Sequence, residues 1–240
     1  MRVLIDRRPS GPDADGDQAS PAELYAEERS PWLRANMVAT VDGAATGADG
    51  LTGTINNPID KKVFHLLRRM SDAIIVGAGT ARAERYGPAV RPLVIVTRLG
   101  TVPTKLAGAT PGSVLVATCQ SAEGVASTRQ ALGDENVLVL GDDSVDLSLL
   151  VRRLNERGLV NLLCEGGPSL LADLAALSLV DELCLTQTPA LVGGDQSRIT
   201  SGLPVDVPLE LHALIEAQGT LLARWSKPTS NKENSWITRS

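Results

Sequence analysis

Residues 161–171 read NLLCEGGPSLL, and this stretch decides the fold class. An apolar run of strand length ends in two glycines, and Pro168 then suits the first turn of a helix. Gly166 and Gly167 would expose backbone N–H groups at the carboxyl end of the strand, the usual ligand edge of an open α/β sheet. Glu165 would lie at the same edge, either beside a hydroxyl or amine of a ligand or as a solvated charge.

Residues 72–80, DAIIVGAGT, repeat the arrangement of a buried strand followed by glycines. Gly77 and Gly79 would let a pyrophosphate approach the backbone, and Thr80 stands where a helix N-cap belongs. The third glycine of a full dinucleotide fingerprint is missing, because Arg82 occupies its position. A plain strand-to-helix turn is the alternative, but two such strand ends in one chain favour a ligand with two phosphates.

Outward from these motifs, apolar runs of strand length alternate with helical patterns. The predicted strands are 33–41, 73–77, 93–97, 113–118, 137–140, 160–164, 182–190 and 219–225. The predicted helices are 58–70, 80–85, 122–132, 146–157 and 168–178. This alternation predicts an α/β fold whose mainly parallel central sheet carries helices on both faces. We expect one main domain at 32–226, an amino-terminal arm at 1–31 and a polar tail at 227–240.

Composition narrows the class of partner. The net charge is −5 and aromatic residues make up 2% of the 240 residues, which argues against nucleic-acid binding. Two histidines and three widely spaced cysteines supply no usable set of metal ligands, so we expect no metal site. The apolar runs are shorter than the roughly 20 residues of a membrane span. We therefore expect a cytoplasmic protein with reduced cysteines and no membrane partner.

Several charged residues follow predicted elements. Asp42 closes the strand at 33–41, where it could orient a substrate or simply form an Asp-Gly turn. Arg68 ends the helix at 58–70, where a cation also complements the helix dipole. Arg98 follows the strand that ends at Thr97, and a basic residue there favours NADP over NAD because it can meet the 2′-phosphate. Arg91 lies in the loop before that strand.

The motifs together resemble a known family. The segments RANMVATVDGAAT (34–46), LLRRMSDAIIVGAGTARAERYGPAVRP (66–92), PLVIVT (92–97) and CEGGPSLLADLAALSLVDEL (164–183), followed by TPALVGG (188–194), resemble the reductase domain of bacterial riboflavin biosynthesis, often called RibD C-terminal-like. The resemblance covers about residues 32–226. It implies a dihydrofolate-reductase-like fold and NADPH-dependent reduction of 5-amino-6-(5-phosphoribosylamino)uracil, in which the ribosyl side chain becomes ribityl.

The resemblance also implies roles for individual residues. Contacts to the phosphoribosyl pyrimidine would come from Thr52, Arg68, Arg91 and Glu165. Contacts to NADPH would come from Ala39, Thr54, Thr80, Glu84, Gly167, Pro168, Ser169, Leu170 and Leu171. Gly77, Gly79, Thr97, Arg98 and Gly166 join the cofactor set from the motifs above. Asp42 would orient the opened ribosyl imine, with protonation from water or from Asp42, since no better general acid is visible in the sequence.

Alternatives remain at this point. Ala44 stands where the family often has a basic residue, and Thr54 where it often has a tryptophan, which weakens the substrate assignment more than the cofactor assignment. Dihydrofolate reduction is the second enzymatic hypothesis, and an NADP-binding protein without turnover is a hypothesis of another class. Family members commonly form dimers, so we expect a homodimer, with residues 182–192 as the candidate interface.

Overall fold

Aliphatic strands and amphipathic helices alternate along the chain, as the computed structural model shows for residues 1–7, 20–27 and 29–228. Within these residues ten strands form one sheet. They are β1 (Arg2–Asp6), β2 (Trp32–Thr40), β3 (Ala73–Gly77), β4 (Leu93–Val96), β5 (Val114–Thr118), β6 (Val137–Val139), β7 (Asn161–Cys164), β8 (Glu182–Thr188), β9 (Glu210–Ala217) and β10 (Thr220–Ser226). The α-helices of the same residues are α1 (Pro21–Leu24), α2 (Pro58–Met70), α3 (Ala78–Ala83), α4 (Val125–Leu132), α5 (Leu147–Glu156) and α6 (Pro168–Ala176).

The sheet is parallel over most of its width. Its order is β1-β9-β10-β8-β2-β7-β3-β4-β5-β6, and the seven strands from β8 to β6 run parallel. The strands β10, β9 and β1 extend it as an antiparallel edge. This arrangement confirms the predicted α/β class with a mainly parallel central sheet.

Helices cover both faces of the parallel part, as expected for strands without polar alternation. Ile74 of β3 packs into one apolar cluster with Leu67 of α2. The next residue, Ile75, points to the other face and joins a second cluster with Leu150 of α5 and Leu174 of α6. Because both faces are buried, the ligand must approach from the edge where the parallel strands end.

The antiparallel edge corrects the sequence prediction. Strands β1 and β9 were not predicted, although the alternating sequence ELHALIEA of β9 is typical of a half-buried strand. A two-residue turn joins β9 to β10, with positive φ angles of 54° at Gln218 and 77° at Gly219. Two positive φ angles are typical of a type I′ hairpin, so the dipeptide Gln-Gly was an available signal.

The ends of the chain pack more closely on the domain than the expected arm and tail suggest. Strand β1 pairs with β9, and Leu24 and Tyr25 are buried in the core. Residues 8–19, 28 and 229–240 of the predicted arm and tail lie outside the described residues. The boundaries at 31/32 and 226/227 therefore stay predictions. Across the part of the chain that the structure describes, no helix combines the length and the hydropathy needed to span a membrane.

Candidate active site

The two glycine motifs meet at the carboxyl edge of the sheet. The amide of Gly77, at the end of β3, donates a hydrogen bond of 2.8 Å to the carbonyl of Gly166, just after β7. A Cβ atom on Gly167 would lie 2.4 Å from Oγ1 of Thr80, which is closer than real Cβ contacts allow. The position of Gly166 also requires glycine, because its φ angle is 79°. Glycine at these positions therefore lets the two strand ends touch.

Helix α3 begins two residues earlier than the sequence suggested. Its N-cap is Gly77, and Thr80 is the third helical residue, so the prediction of Thr80 as N-cap was wrong. The physical reason is that glycine can cap a helix through its backbone alone. The side chain of Thr80 is thereby left for the ligand edge, next to Gly167.

A cavity of about 580 Å³ opens beside the glycine motifs, and we call it the glycine cavity. Its lining combines the first turn of α3, the end of β4 and the first turn of α6, which are the predicted cofactor elements. The residues are Gly77, Ala78, Gly79, Arg82, Val96, Thr97, Arg98, Leu99, Ser144, Val145, Leu147, Ser169, Leu170 and Asp173. Six of them, Gly77, Gly79, Thr97, Arg98, Ser169 and Leu170, were predicted from the sequence.

Two exposed arginines give the glycine cavity its positive charge. Arg98 follows β4, as predicted, and Arg82 from α3 lines the same cavity. Sequence reasoning treated Arg82 only as a missing glycine, although a cation four residues after a helix begins could have been considered as a phosphate ligand. Asp173 of α6 adds one carboxylate to the lining.

A second cavity of about 380 Å³, which we call the acid cavity, lies on the other side of the α3 turn. It is lined by polar side chains from β2, α2, the loop after α3 and the end of β7. The residues are Asn36, Met37, Val38, Ala45, Thr52, Asn56, Asp60, Phe64, Arg68, Thr80, Glu84, Arg85, Tyr86, Gly87, Pro88 and Glu165. Five of these, Thr52, Arg68, Thr80, Glu84 and Glu165, are predicted site residues.

Glu165 anchors the acid cavity. It is 7% exposed and accepts bonds of 2.7 Å from both Nε and Nη2 of Arg68, in a bidentate pair. The hydroxyl of Tyr86 donates a third bond of 2.6 Å to Glu165. The guanidinium of Arg68 also lies 4.1 Å from the ring centroid of Phe64 and 5.2 Å from that of Tyr86. Arg68 is therefore held in one orientation by a carboxylate and two rings.

These contacts fix the protonation states of the anchor. Burial alone would lower the pKa of Arg68, but the carboxylate of Glu165 outweighs burial and raises it. Burial, reinforced by the charge of Glu165, raises the pKa of Tyr86 well above its usual value. Arg68 is thus a permanent cation and Tyr86 a neutral donor. Both oxygens of Glu165 are already engaged, so its predicted contact with substrate would act alongside Arg68.

Buried polar groups in the acid cavity escaped the sequence reasoning. Asn36 is 8% exposed, and within the described residues its Oδ1 has no hydrogen-bond partner. Over the same residues, Oδ1 of Asn56 also lacks a partner. Asp60 is 3% exposed on α2. Asn36 belongs to the segment at 34–46 but was not selected as a site residue. The sequence around Asp60 is typical of an acid in the first turn of a helix, so it was not selected either.

Thr52 and Glu84 join across the acid cavity, where the backbone N–H of Thr52 donates a 2.8 Å bond to Oε1 of Glu84. The structure therefore places Glu84 with the substrate candidates, whereas the resemblance assigned it to the cofactor. Arg85, which sequence reasoning did not select, supplies a second cation to this lining.

Asp42 lies outside the linings of both cavities. It is exposed, and its Oδ2 accepts bonds from the backbone N–H groups of Gly193 (2.8 Å) and Val192 (3.2 Å). Its Oδ1 accepts a short bond from the hydroxyl of Thr40, which is the main cause of the lowered pKa of Asp42. A carboxyl with a lowered pKa is a poor proton donor near neutral pH. The geometry gives Asp42 the role of tying the 192–193 loop to β2.

Arg91 also lies apart from the cavity linings. It is exposed, and its Nη2 donates a 2.8 Å bond to the carbonyl of Arg69 at the end of α2. Thr54 is exposed and its hydroxyl donates to Oδ1 of Asp49 at 3.2 Å. The remaining predicted cofactor residues that line neither cavity are Ala39, Gly166, Gly167, Pro168 and Leu171. Among them Gly166 and Gly167 contact the cavity walls, whereas Leu171 is buried in the core.

Known proteins with similar sequences and structures include reductases. The family model described as the RibD C-terminal domain matches residues 31–221. A 2,5-diamino-6-ribosylamino-4(3H)-pyrimidinone 5′-phosphate reductase of Methanothermobacter thermautotrophicus is 32% identical over 70% of this chain and 82% of its own length. The riboflavin biosynthesis protein RibD of Chlamydia trachomatis is 34% identical over 61% of this chain and 43% of its own length. The crystal structure of a pyrimidine reductase-like protein from Corynebacterium diphtheriae superposes with a TM-score of 0.73 at 26% identity, covering 83% of this chain and 93% of that one.

Proposed function

The chain belongs to the RibD C-terminal domain family and is an oxidoreductase, and we propose that it uses NADPH to reduce the ribosyl side chain of 5-amino-6-(5-phosphoribosylamino)uracil to ribityl. The proposal places the enzyme in riboflavin biosynthesis. One observation carries it: the first turn of α3 separates two cavities, with Gly77 and Gly79 lining one and Thr80 lining the other. A cofactor in the glycine cavity and a substrate in the acid cavity would be neighbours.

The glycine cavity fits a dinucleotide phosphate. Gly77 and Gly79 present backbone without side chains, and a Cβ on Gly79 would still meet open space, so a pyrophosphate can approach closely. Ser169 lies in the first turn of α6, where backbone N–H groups have no intrahelical acceptor and the helix dipole favours an anion. Arg82 and Arg98 are placed to meet the additional 2′-phosphate that distinguishes NADPH from NADH. When bound there, NADPH supplies the hydride.

The acid cavity fits the phosphoribosyl pyrimidine. Arg68 uses Nε and Nη2 for Glu165, which leaves Nη1 for a substrate anion within the described surroundings. Arg85 adds a second cation for the phosphate. The carbonyl oxygens of Asn36 and Asn56 need hydrogen-bond donors, and N–H and amino groups of an aminopyrimidine would satisfy them.

The residues of the chain contribute chiefly by positioning. Glu165 accepts bonds from Arg68 and from the hydroxyl of Tyr86, so the remaining Nη1 donor of Arg68 is held in a fixed orientation for the substrate. Such orientation supplies a large part of the rate enhancement in hydride transfer, because the reacting atoms are held at near-attack distance.

We also propose a homodimer. On one face of the antiparallel edge, cross-strand neighbours form an apolar patch: Leu183 pairs with Trp225, and Leu185 with Ala223, which in turn pairs with Leu214. All of these except Ala223 are partly exposed, which suits burial against a second copy. Both edges of β8 are occupied by β2 and β10. A partner would therefore pack on the face of the predicted 182–192 segment rather than extend the sheet.

Sedimentation tests the dimer: the wild type should sediment as a dimer at micromolar concentration and Leu185→Glu as a monomer. A monomeric wild type would exclude the dimer.

We further propose that the protein acts in the cytoplasm. Its three cysteines are free and buried, and burial raises the pKa of Cys164 to about 12, so they suit a reducing compartment.

NADPH absorbance tests the proposed reaction. The purified chain should oxidise NADPH when it meets the deaminated phosphoribosylaminopyrimidine, and NADH should serve poorly. The form that still carries the 2-amino group, named in the relative from M. thermautotrophicus, and dihydrofolate are the parallel substrates. Turnover of dihydrofolate alone would overturn the assignment in favour of a folate enzyme. Binding of NADPH without turnover of any of the three would indicate a non-catalytic NADP-binding protein.

A further inference from the structure

Asp60 is a buried acid in the acid cavity with no role in the anchor described above. It lies in the first turn of α2, where its backbone N–H is capped by Oδ1 of Asn57 at 3.0 Å. The residue is 3% exposed, yet it contributes to the cavity lining beside Asn36 and Asn56. Asp60 therefore combines a buried acidic side chain with a place in the wall of the acid cavity.

The surroundings of Asp60 do not compensate a negative charge. Its side chain hydrogen-bonds to Thr186 on β8, and the neighbouring cation Lys61 is exposed. Within the described residues no lysine or arginine nitrogen forms an ion pair with it. The other charged groups lining the cavity are the Arg68–Glu165 pair, Glu84 and Arg85. Burial therefore dominates and raises the pKa of Asp60, which favours the neutral carboxylic acid.

The proposed reaction needs an acid at one atom. In the closed sugar, C1′ is bonded both to the ring oxygen and to the amine nitrogen. The ring oxygen leaves most easily when it receives a proton as the bond breaks. We propose that Asp60 is the general acid that protonates the ring oxygen of the substrate, an inference that rests on the proposed function.

Ring opening transfers one proton and breaks one C–O bond. The O–H bond of the Asp60 carboxyl breaks and its proton goes to the ring oxygen. The electron pair of the C1′–O bond moves to that oxygen, which becomes a free hydroxyl. The nitrogen lone pair forms the C1′=N bond, so the opened sugar is an iminium that accepts a hydride at C1′. The Asp60 carboxylate takes up one proton from solvent before the next turnover.

The other acids of the cavity are less suited to this role. Both oxygens of Glu165 accept hydrogen bonds from Arg68 and Tyr86, so neither is free to approach the ring oxygen. Oε1 of Glu84 accepts the backbone N–H of Thr52, which ties this carboxyl to the loop at residue 52. Asp60 is the lining carboxyl that combines burial with the absence of a cationic partner in the described chain.

Asp60→Asn is the test variant, because the amide keeps the shape but cannot donate a carboxyl proton. We expect kcat to fall by at least about 100-fold, while the NADPH dissociation constant measured by fluorescence stays unchanged. The wild-type kcat should fall as the pH rises through the pKa of Asp60, and this limb should disappear in the variant. Asp72→Asn is the control: this partly buried carboxylate accepts from the N–H groups of Val160 and Asn161 outside both cavities.

Stability provides a readout independent of turnover. Because the folded pKa of Asp60 is raised, its contribution to stability is present at low pH and is lost as the pH rises through the folded pKa. Asp60→Asn should therefore gain stability relative to the wild type as the pH rises above 3.8, the ordinary pKa of the Asp60 carboxyl. A merely structural role for Asp60 as a charged helix-start residue predicts the opposite trend and would overturn the inference.

The outcomes separate the two proposals. A wild type that oxidises NADPH with the pyrimidine while Asp60→Asn retains kcat within threefold would overturn the role of Asp60 alone. A wild type without turnover on either pyrimidine would overturn the proposed function and the acid assignment with it. Loss of kcat in Asp72→Asn equal to that in Asp60→Asn would show a general effect of acid removal and would also reject the inference.

Discussion

Two buried glutamates lie at opposite ends of the parallel strands, and their ion pairs have different consequences. Glu165 lies at the carboxyl edge, paired with Arg68 and open to the acid cavity. Glu182 lies at the start of β8, near the opposite edge, and is 1% exposed between Arg34 and Arg224. Both are charged groups withdrawn from water. Only the first leaves donors directed at a ligand, so we assign the first to function and the second to structure.

The Glu182 cluster joins distant parts of the chain. Arg34 also donates to the carbonyl of Tyr25 at 2.8 Å, and Arg224 bonds the carbonyl of Leu24. Burial alone would raise the pKa of Glu182, but Arg34 and Arg224 outweigh burial and hold it at about 2. The cluster therefore fastens the described segment at 20–27 onto β2, β8 and β10.

The largest expected effect is the loss of stability in Glu182→Gln. The change leaves Arg224 buried without a countercharge and Arg34 with Glu27 as its remaining ion-pair partner, and breaking a buried pair in this way typically costs about 3–5 kcal/mol. Chemical denaturation measures it, with Glu156→Gln as control, because the exposed Arg153–Glu156 pair should be worth less than about 0.5 kcal/mol. Equal stability losses in the two variants would contradict the comparison.

The difference in stability between the wild type and Glu182→Gln should depend on pH. The folded pKa of Glu182 is about 2 and its ordinary value 4.5, so its contribution is fully present above pH 4.5. It is lost as the pH falls from 4.5 towards about 2. The stability gap between wild type and Glu182→Gln should therefore narrow over that window.

The next largest effect is expected in Glu165→Gln, and it should appear in catalysis. Neutralising Glu165 weakens charge-assisted bonds to Arg68 and Tyr86, which are each worth about 1.5–3 kcal/mol. We expect kcat/KM for the pyrimidine to fall roughly 10- to 100-fold. Stability should fall less than in Glu182→Gln, because the partly exposed Arg68 can reach solvent. If Glu165→Gln left kcat/KM unchanged and lost much stability, the Glu165 cluster would be structural, like the Glu182 cluster.

The sequence predicted the regular part of this molecule because local patterns determine it. The aliphatic runs at β3 and β7 must be buried on both faces, and glycines directly after them mark the ligand edge. The meeting of Gly77 with Gly166 follows from adjacent parallel strands. Six predicted residues line the glycine cavity for this reason.

The acid cavity was predicted less fully, because its polar groups come together only through tertiary packing. Whether Asp60 in the first turn of α2 faces solvent or a cavity depends on β2 and β8, which lie far away in sequence. Asp42 and Arg91 illustrate the reverse: both match a family motif, yet each bonds to backbone groups outside the cavities. The motifs therefore predicted which part of the fold holds the site, whereas tertiary packing determines which side chains line it.

Tyr86→Phe should sharpen the comparison with a smaller effect. It removes one hydrogen bond to the Glu165 carboxylate while leaving the bidentate pair with Arg68 in place. We expect kcat/KM to fall roughly fivefold, because only part of the roughly 1.5–3 kcal/mol of this bond is felt at the substrate, with the NADPH dissociation constant unchanged. Steady-state kinetics with the pyrimidine measures it. A loss as large as that of Glu165→Gln would instead show that Tyr86 acts directly on the substrate.

The smallest effect is expected in Arg91→Ala, which sets sequence resemblance against geometry. The resemblance assigns both Arg68 and Arg91 to the substrate, but of the two only Arg68 lines the acid cavity. Arg91 is exposed and donates to the carbonyl of Arg69 at the end of α2, where a cation also complements the helix dipole.

We therefore expect Arg91→Ala to raise KM for the pyrimidine by less than about threefold, since an exposed contact is worth at most about 0.5 kcal/mol. Arg68→Ala should raise KM more than tenfold, because it removes a partly buried charge-assisted donor worth about 1.5–3 kcal/mol. Parallel KM measurements on the two variants decide between the readings. A larger effect at Arg91 would mean that its side chain leaves Arg69 when substrate binds, and that the family motif locates the phosphate site better than the lining of the acid cavity does.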